Sequence, residues 1–108
     1  MTAKALWITT AGELVELEDI SLNALQEAVG GWVQAIGLKD NLTMWLNEEG
    51  KLMQLPHNLK GQAIWDSFFQ EGSDYIVGNI VLTGGADDEG ETLGLDDSTV
   101  SILKESLA

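Results

Sequence analysis

The sequence predicts an α+β fold, a mainly antiparallel sheet built from hairpins, with two packed helices and a short C-terminal helix. Three observations carry this. Short β-rich segments alternate apolar and polar residues between turn residues. Two longer stretches have apolar residues at helical spacing behind a capping residue. One late segment, Asp74 to Thr83, is apolar on both faces, as a central strand requires.

Ala3 to Thr9 is rich in β-formers, Thr10-Ala11-Gly12 turns the chain, and Glu13 to Leu17 sets Val15 and Leu17 against Glu16 and Glu18, so a hairpin is expected. Ser21 stands as an N-cap before Leu22, Leu25 and Val29, which share a helical face, and Gly30-Gly31 stops that helix. Trp32 to Leu38 and Leu42 to Asn47 are strands around the loop Lys39-Asp40-Asn41. Asn47-Glu48-Glu49-Gly50 is a turn sequence, which predicts that Lys51 to Leu55 returns as an antiparallel strand.

Pro56 ends that strand. From His57 or Asn58 to Phe69, residues Leu59, Ala63, Ile64, Trp65 and Phe68 suit a helix packed over much of its circumference. Asp74 to Thr83 is then the spine of the sheet, and Gly84 to Gly94 an exposed loop of glycine and acid. Asp97 or Ser98 can cap a last helix with Val100, Leu103 and Leu107 on one face and Lys104 near its end. Residues 1–95 are thus expected to form one acidic domain, and 96–108 an amphipathic helix that docks on it or binds a partner.

The chain of 108 residues is long enough for one core, and 44% of it is apolar. It has neither a membrane-length apolar run nor a signal-peptide pattern at its start, so a cytoplasmic protein is expected. With no cysteine, disulfides, thiolate metal sites and cysteine nucleophiles drop out. Eighteen acidic residues face five lysines, for a net charge of −13. Such a surface repels phosphate backbones, which argues against direct nucleic-acid binding. The charge can serve solubility, attract a basic partner or imitate a polyanion.

The run Asp87, Asp88, Glu89, Glu91, Asp96 and Asp97 invites a calcium reading, but its spacing does not match a calcium loop, because Gly85 stands where the first acid belongs. His57 is the only histidine, and no nucleophile motif accompanies it, so neither catalysis nor a cofactor is expected. Gly30-Gly31 and Gly84-Gly85 do not continue as phosphate loops, and turns explain them. Gln26, Asn47, Asn58 and Asn79 are amides that can orient a polar ligand or tie loops to the backbone. Trp7 and Trp45 are expected on outer faces, where they would form an aromatic patch for a protein partner.

Four segments give the chain a resemblance to a family catalogued as domain of unknown function number 3846. They are Leu22, Gln26, Val29, Gly30 and Gly31, then Asn47-Glu48-Glu49-Gly50-Lys51, then Leu55-Pro56-His57-Asn58, and Tyr75-Ile76-Val77-Gly78. The resemblance implies a bacteriophage or mobile-element context and an accessory role, and it brings no catalytic residues with it.

The expected function is a non-enzymatic binding protein that engages, and modulates or inhibits, a host protein with a basic surface. The residues proposed for it are Asp87, Asp88, Glu89, Glu91, Asp96, Asp97, Trp7 and Trp45, and in its extreme form it would mimic DNA. The alternative is a nucleotide-like small-ligand binder with a pocket around Gln26, Asn47 and Asn58. No membrane partner is expected, and a homo-oligomer is compatible with either reading.

Overall fold

The computed structural model describes residues 4–108 and shows an α+β fold with five antiparallel strands and three helices. The strands are β1 (Ala5–Ile8), β2 (Leu14–Leu17), β3 (Val33–Lys39), β4 (Leu42–Asn47) and β5 (Ile80–Thr83). The helices are α1 (Leu22–Val29), α2 (Leu59–Phe68) and α3 (Asp97–Leu107). The sheet runs in the order β2-β1-β5-β4-β3, so β5 is its middle strand, paired on both sides and fully covered. The predicted residue Ala3 of the first strand lies outside the described residues.

Alternation along the strands sorts side chains between two faces. Leu6, Ile8, Met44, Leu46, Ile80 and Leu82 point to one face, where they meet Ile64 and Trp65 of α2, Val100 of α3 and Leu95. Ala5, Val81, Trp7 and Trp45 point to the other, under Leu25 and Val29 of α1. The sheet is therefore the middle layer of three. Residues 96–108 pack on it: Val100 is buried, and Leu103 and Leu107 lie against the same cluster, as does Leu14 of β2.

The local signals act largely as anticipated. The Ser21 hydroxyl accepts the Ala24 N–H, and Gly30 closes α1 at φ 82° while the N–H groups of Gly30 and Gly31 both donate to Gln26 O. Asn58 caps α2 by accepting the Gly61 N–H.

Three expectations need correction. Lys51 to Leu55 is not a strand. The Asn47 carboxamide oxygen accepts the Glu49 N–H, and Gly50, Met53, Gln54 and Leu55 then bond back to Asn47, Glu49, Lys51 and Gly50, so the segment coils in consecutive turns. It also has no edge to join, because β4 already pairs with β3 and β5. The central strand is shorter than Asp74–Thr83, since Gly78 at φ 77° breaks the ladder and leaves Val77 in a single bridge to His57. A side chain at Gly78 would be strained by that φ and would also meet Leu55 Cδ1 at 2.8 Å. The cap of α3 is Asp96, not Asp97 or Ser98.

Gly84 and Gly85 are more than a turn. A Cβ on Gly85 would sit 2.2 Å from Asp40 O, and one on Gly84 would sit 2.5 Å from Gly94 O. The end of β5 passes between two backbones that leave room only for hydrogen.

Candidate functional site

The expectation that Trp7 and Trp45 lie on open outer faces is not met, because α1 packs across both. Trp7 Nε1 donates to Ala28 O at 2.9 Å, and Trp45 Nε1 donates to Thr83 Oγ1 at 2.8 Å. Both rings are half-buried with their N–H groups satisfied inside the protein. They form the floor of something instead.

Between β2 and α1 lies an open cleft of about 510 Å³. Trp7, Leu17, Ala24 and Ala28 make its apolar part, and Glu16, Glu18, Asp19 and Glu27 its rim, with no basic residue in the lining. Local structure explains the arrangement. Glu16 and Glu18 come at the end of β2, Asp19 belongs to the connection into α1, and Glu27 lies on the helix itself. The Ser21 N–H donates to Asp19 at 2.9 Å, and that bond, helped by the Ser21 hydroxyl and the charge of Lys4, holds the Asp19 carboxyl below its usual range. Glu16 also receives Lys104 of α3 at 3.0 Å.

An adjoining cleft of about 450 Å³ shares Glu18 and Asp19 and continues past Leu22, Leu25 and Trp45 to Gly90 and Glu91, with Lys4 in its wall. Trp7 thus lines the first cleft, and Trp45 and Glu91 the second. The remaining acids of the loop divide by role. Asp87 is an anchor, since its carboxylate accepts the N–H groups of Glu89 and Glu91, each at 2.9 Å. Asp96 is spent on the α3 cap, where its carboxylate accepts the Thr99 N–H at 2.7 Å and the Ser98 hydroxyl at 3.0 Å. Those bonds hold it below the usual range. Asp88, Glu89 and Asp97 are exposed.

Asn47 and Asn79 line one cleft of about 290 Å³ beside Trp7 and Gly78, whereas Gln26 and Asn58 are not in its lining. Asn58 is fully buried and donates to Ile8 O and Gly78 O while capping α2. Asn47 donates to Val29 O at 3.2 Å and accepts from Glu49. Gln26 lies half-buried on α1, and its backbone carbonyl takes the helix-ending bonds. Asn79 accepts the Thr10 N–H. Loop-tying accounts for the bonds of the three asparagines.

The same bonds explain the four segments of the family resemblance, which converge in space. Asn47 reaches the end of α1, the Asn58 N–H donates to Ile76 O, the Gly78 N–H donates to Pro56 O, and His57 bridges Val77. His57 stacks on Tyr75 with ring centres 4.2 Å apart, and its Nε2 lies 3.0 Å from Gln62 Oε1. That oxygen also accepts the Ile76 N–H, so the His57 Nε2 is the donor. The ring thus bonds an amide rather than a hydroxyl or carboxylate. Nearby, Lys51 pairs with Asp74. Partial burial raises the Asp74 carboxyl, but the bonds from Lys51 and the Tyr75 N–H outweigh it and leave the group below its usual range.

Among the described residues no three of His, Cys, Asp and Glu are grouped to hold a metal ion, and no helix is long and apolar enough to cross a membrane. Sequence reasoning missed Glu16, Glu18, Asp19 and Glu27. Their signal was the run of acids at the end of β2 directly before a helix, but which face of α1 would sit beside them depended on tertiary packing.

A family model described as "Domain of unknown function (DUF3846)" matches residues 3–108. Neither the curated proteins nor the solved structures gave a match.

Proposed function

The chain belongs to the DUF3846 family, and from that premise we propose that it is a non-enzymatic accessory protein of phage type that binds and modulates a host protein through the acid-lined groove beside α1. The observation that carries this reading is the cleft itself. Glu16, Glu18, Asp19 and Glu27 surround an apolar strip of Trp7, Leu17, Ala24 and Ala28, and the acids outnumber the one lysine, Lys104, that pairs with Glu16 from outside the lining. Such a rim draws in a basic surface, and the strip rewards an aliphatic or aromatic side chain that follows it. The phage-type setting is what the family resemblance implies, and the net charge of −13 adds long-range attraction to the same class of partner.

The test is retention of host proteins on the immobilised chain, followed by a salt gradient. A partner held by this groove should elute at moderate salt, as exposed charges are screened. The double variant Glu18→Lys, Glu27→Lys should lose it. Retention of nothing at low salt, or the same retention by the variant, sinks the reading.

A further inference from the structure

The two edges of the sheet are unlike. β2 is short, carries Glu16 between the flanking Glu13 and Glu18, and is tied to α3 by the Lys104–Glu16 pair. Charges of this kind keep other strands away. β3, at the far edge, has seven residues, and the chain carries no acid from Ala28 to Lys39. In a protein with 18 carboxylates, this edge has been left without one.

Register decides which backbone groups that edge presents. The Glu48 N–H donates to Trp32 O, which places Trp32, and with it Gln34 and Ile36, in the positions that bond β4. Val33, Ala35 and Gly37 therefore turn their N–H and C=O groups away from β4. Ala35 and Gly37 are exposed, and among the described residues none of the three has another backbone or side-chain partner. Beside them Trp32 is 66% exposed.

We propose that β3 pairs antiparallel with β3 of a second copy, about a two-fold axis through Ala35, so that the two sheets become one. This register sets Ala35 opposite Ala35 and Val33 opposite Gly37 of the second copy. It is the one that pairs all three outward residues of each chain, because a shift by two leaves one of them out. The regular pairing ends at Gly37, because the register of β3 shifts between Gly37 and Lys39. Charge favours a copy of this chain as the occupant. Two molecules of net charge −13 meet along the edge where neither carries a carboxylate, and the only charged side chain from Gly31 to Lys39 is Lys39. Lys39 itself lies over the Phe68 ring of α2, 6.0 Å from its centre, and so leaves the paired segment free of charge.

Sedimentation of the full chain over a concentration series should show a monomer–dimer equilibrium, with the Val33, Ala35 and Gly37 amides exchanging more slowly in the dimer. Ala35→Pro removes an N–H that β4 does not use, so it should give a folded monomer with an unchanged far-ultraviolet spectrum. Should that variant misfold, Ala35→Lys sets two like charges face to face and should shift the equilibrium towards monomer, with salt reversing the shift. A wild-type chain that stays monomeric throughout overturns the proposal, including one whose β3 amides become protected only when a different protein is added. So does Ala35→Lys dimerising like the wild type at low salt.

Discussion

The two faces of the sheet are covered very differently. On one side α2 and α3 bury an unbroken apolar cluster that runs from Leu6 and Ile8 through Met44 and Leu82 to Val100. On the other, one eight-residue helix lays Leu25 and Val29 over Ala5 and Val81, and the tryptophans beside them are only half enclosed. Burial of apolar area is the main source of stability, so the first face holds the fold together. The second keeps aromatic surface within reach of solvent between rows of carboxylates. This separation lets the α1 face carry polar and charged residues without weakening the core.

The largest effect expected from this division is on the covered face. Leu82→Ala, at a position with no exposure, should lower unfolding free energy by about 3 kcal/mol in urea titrations, whereas Val81→Ala, one residue along and facing α1, should cost about 1.5 kcal/mol. Equal losses would mean that the α1 face contributes as much as the other. A smaller effect isolates the helix. Trp7→Phe retains most of the apolar ring but drops the bond to Ala28 O, for a loss of about 1 kcal/mol, together with faster amide exchange in α1. Unaltered exchange in α1 would show that apolar contact alone seats it.

The smallest effect concerns α3 and depends on pH. The Asp96 carboxyl is held below its usual value of 3.8 by the Thr99 and Ser98 bonds. A depressed folded-state value contributes stability that is present above the unfolded value and is lost as pH falls through the folded one. Asp96→Ala should therefore melt earlier than wild type at neutral pH, and the gap should close as pH drops below the carboxylate range. A gap that persists in acid would assign the effect to something other than the charged cap.

Much of this was legible locally. The first hairpin, the Ser21 cap, the Gly30 stop, the entry to α2 at Asn58 and the apolar character of β5 each depend on residues within a few positions of one another. What escaped was set by distant partners. Lys51 to Leu55 carries strand-forming residues, but β5, which begins only at Ile80, takes the edge they would have used, and Asn47 turns its amide to the local backbone instead. The groove was hidden for a similar reason. Glu16 and Glu27 become neighbours only when α1 lies across Trp7, and nothing in their spacing announces that packing. Asp87 and Asp96 look like free charge in a sequence, yet both are occupied with backbone N–H groups.

The position of β5 also bears on the order in which the molecule can be made. β1 with β2, and β3 with β4, are hairpins whose residues have all been synthesised by Asn47, yet they share no strand pairing. The strand that joins them begins at Ile80. Two half-sheets, each with an open inner edge, therefore cannot be joined until the residues from Ile80 onward have left the ribosome. Such edges are templates for wrong pairing. Insertion of β5, by closing both at once, turns two marginal hairpins into one cooperative sheet.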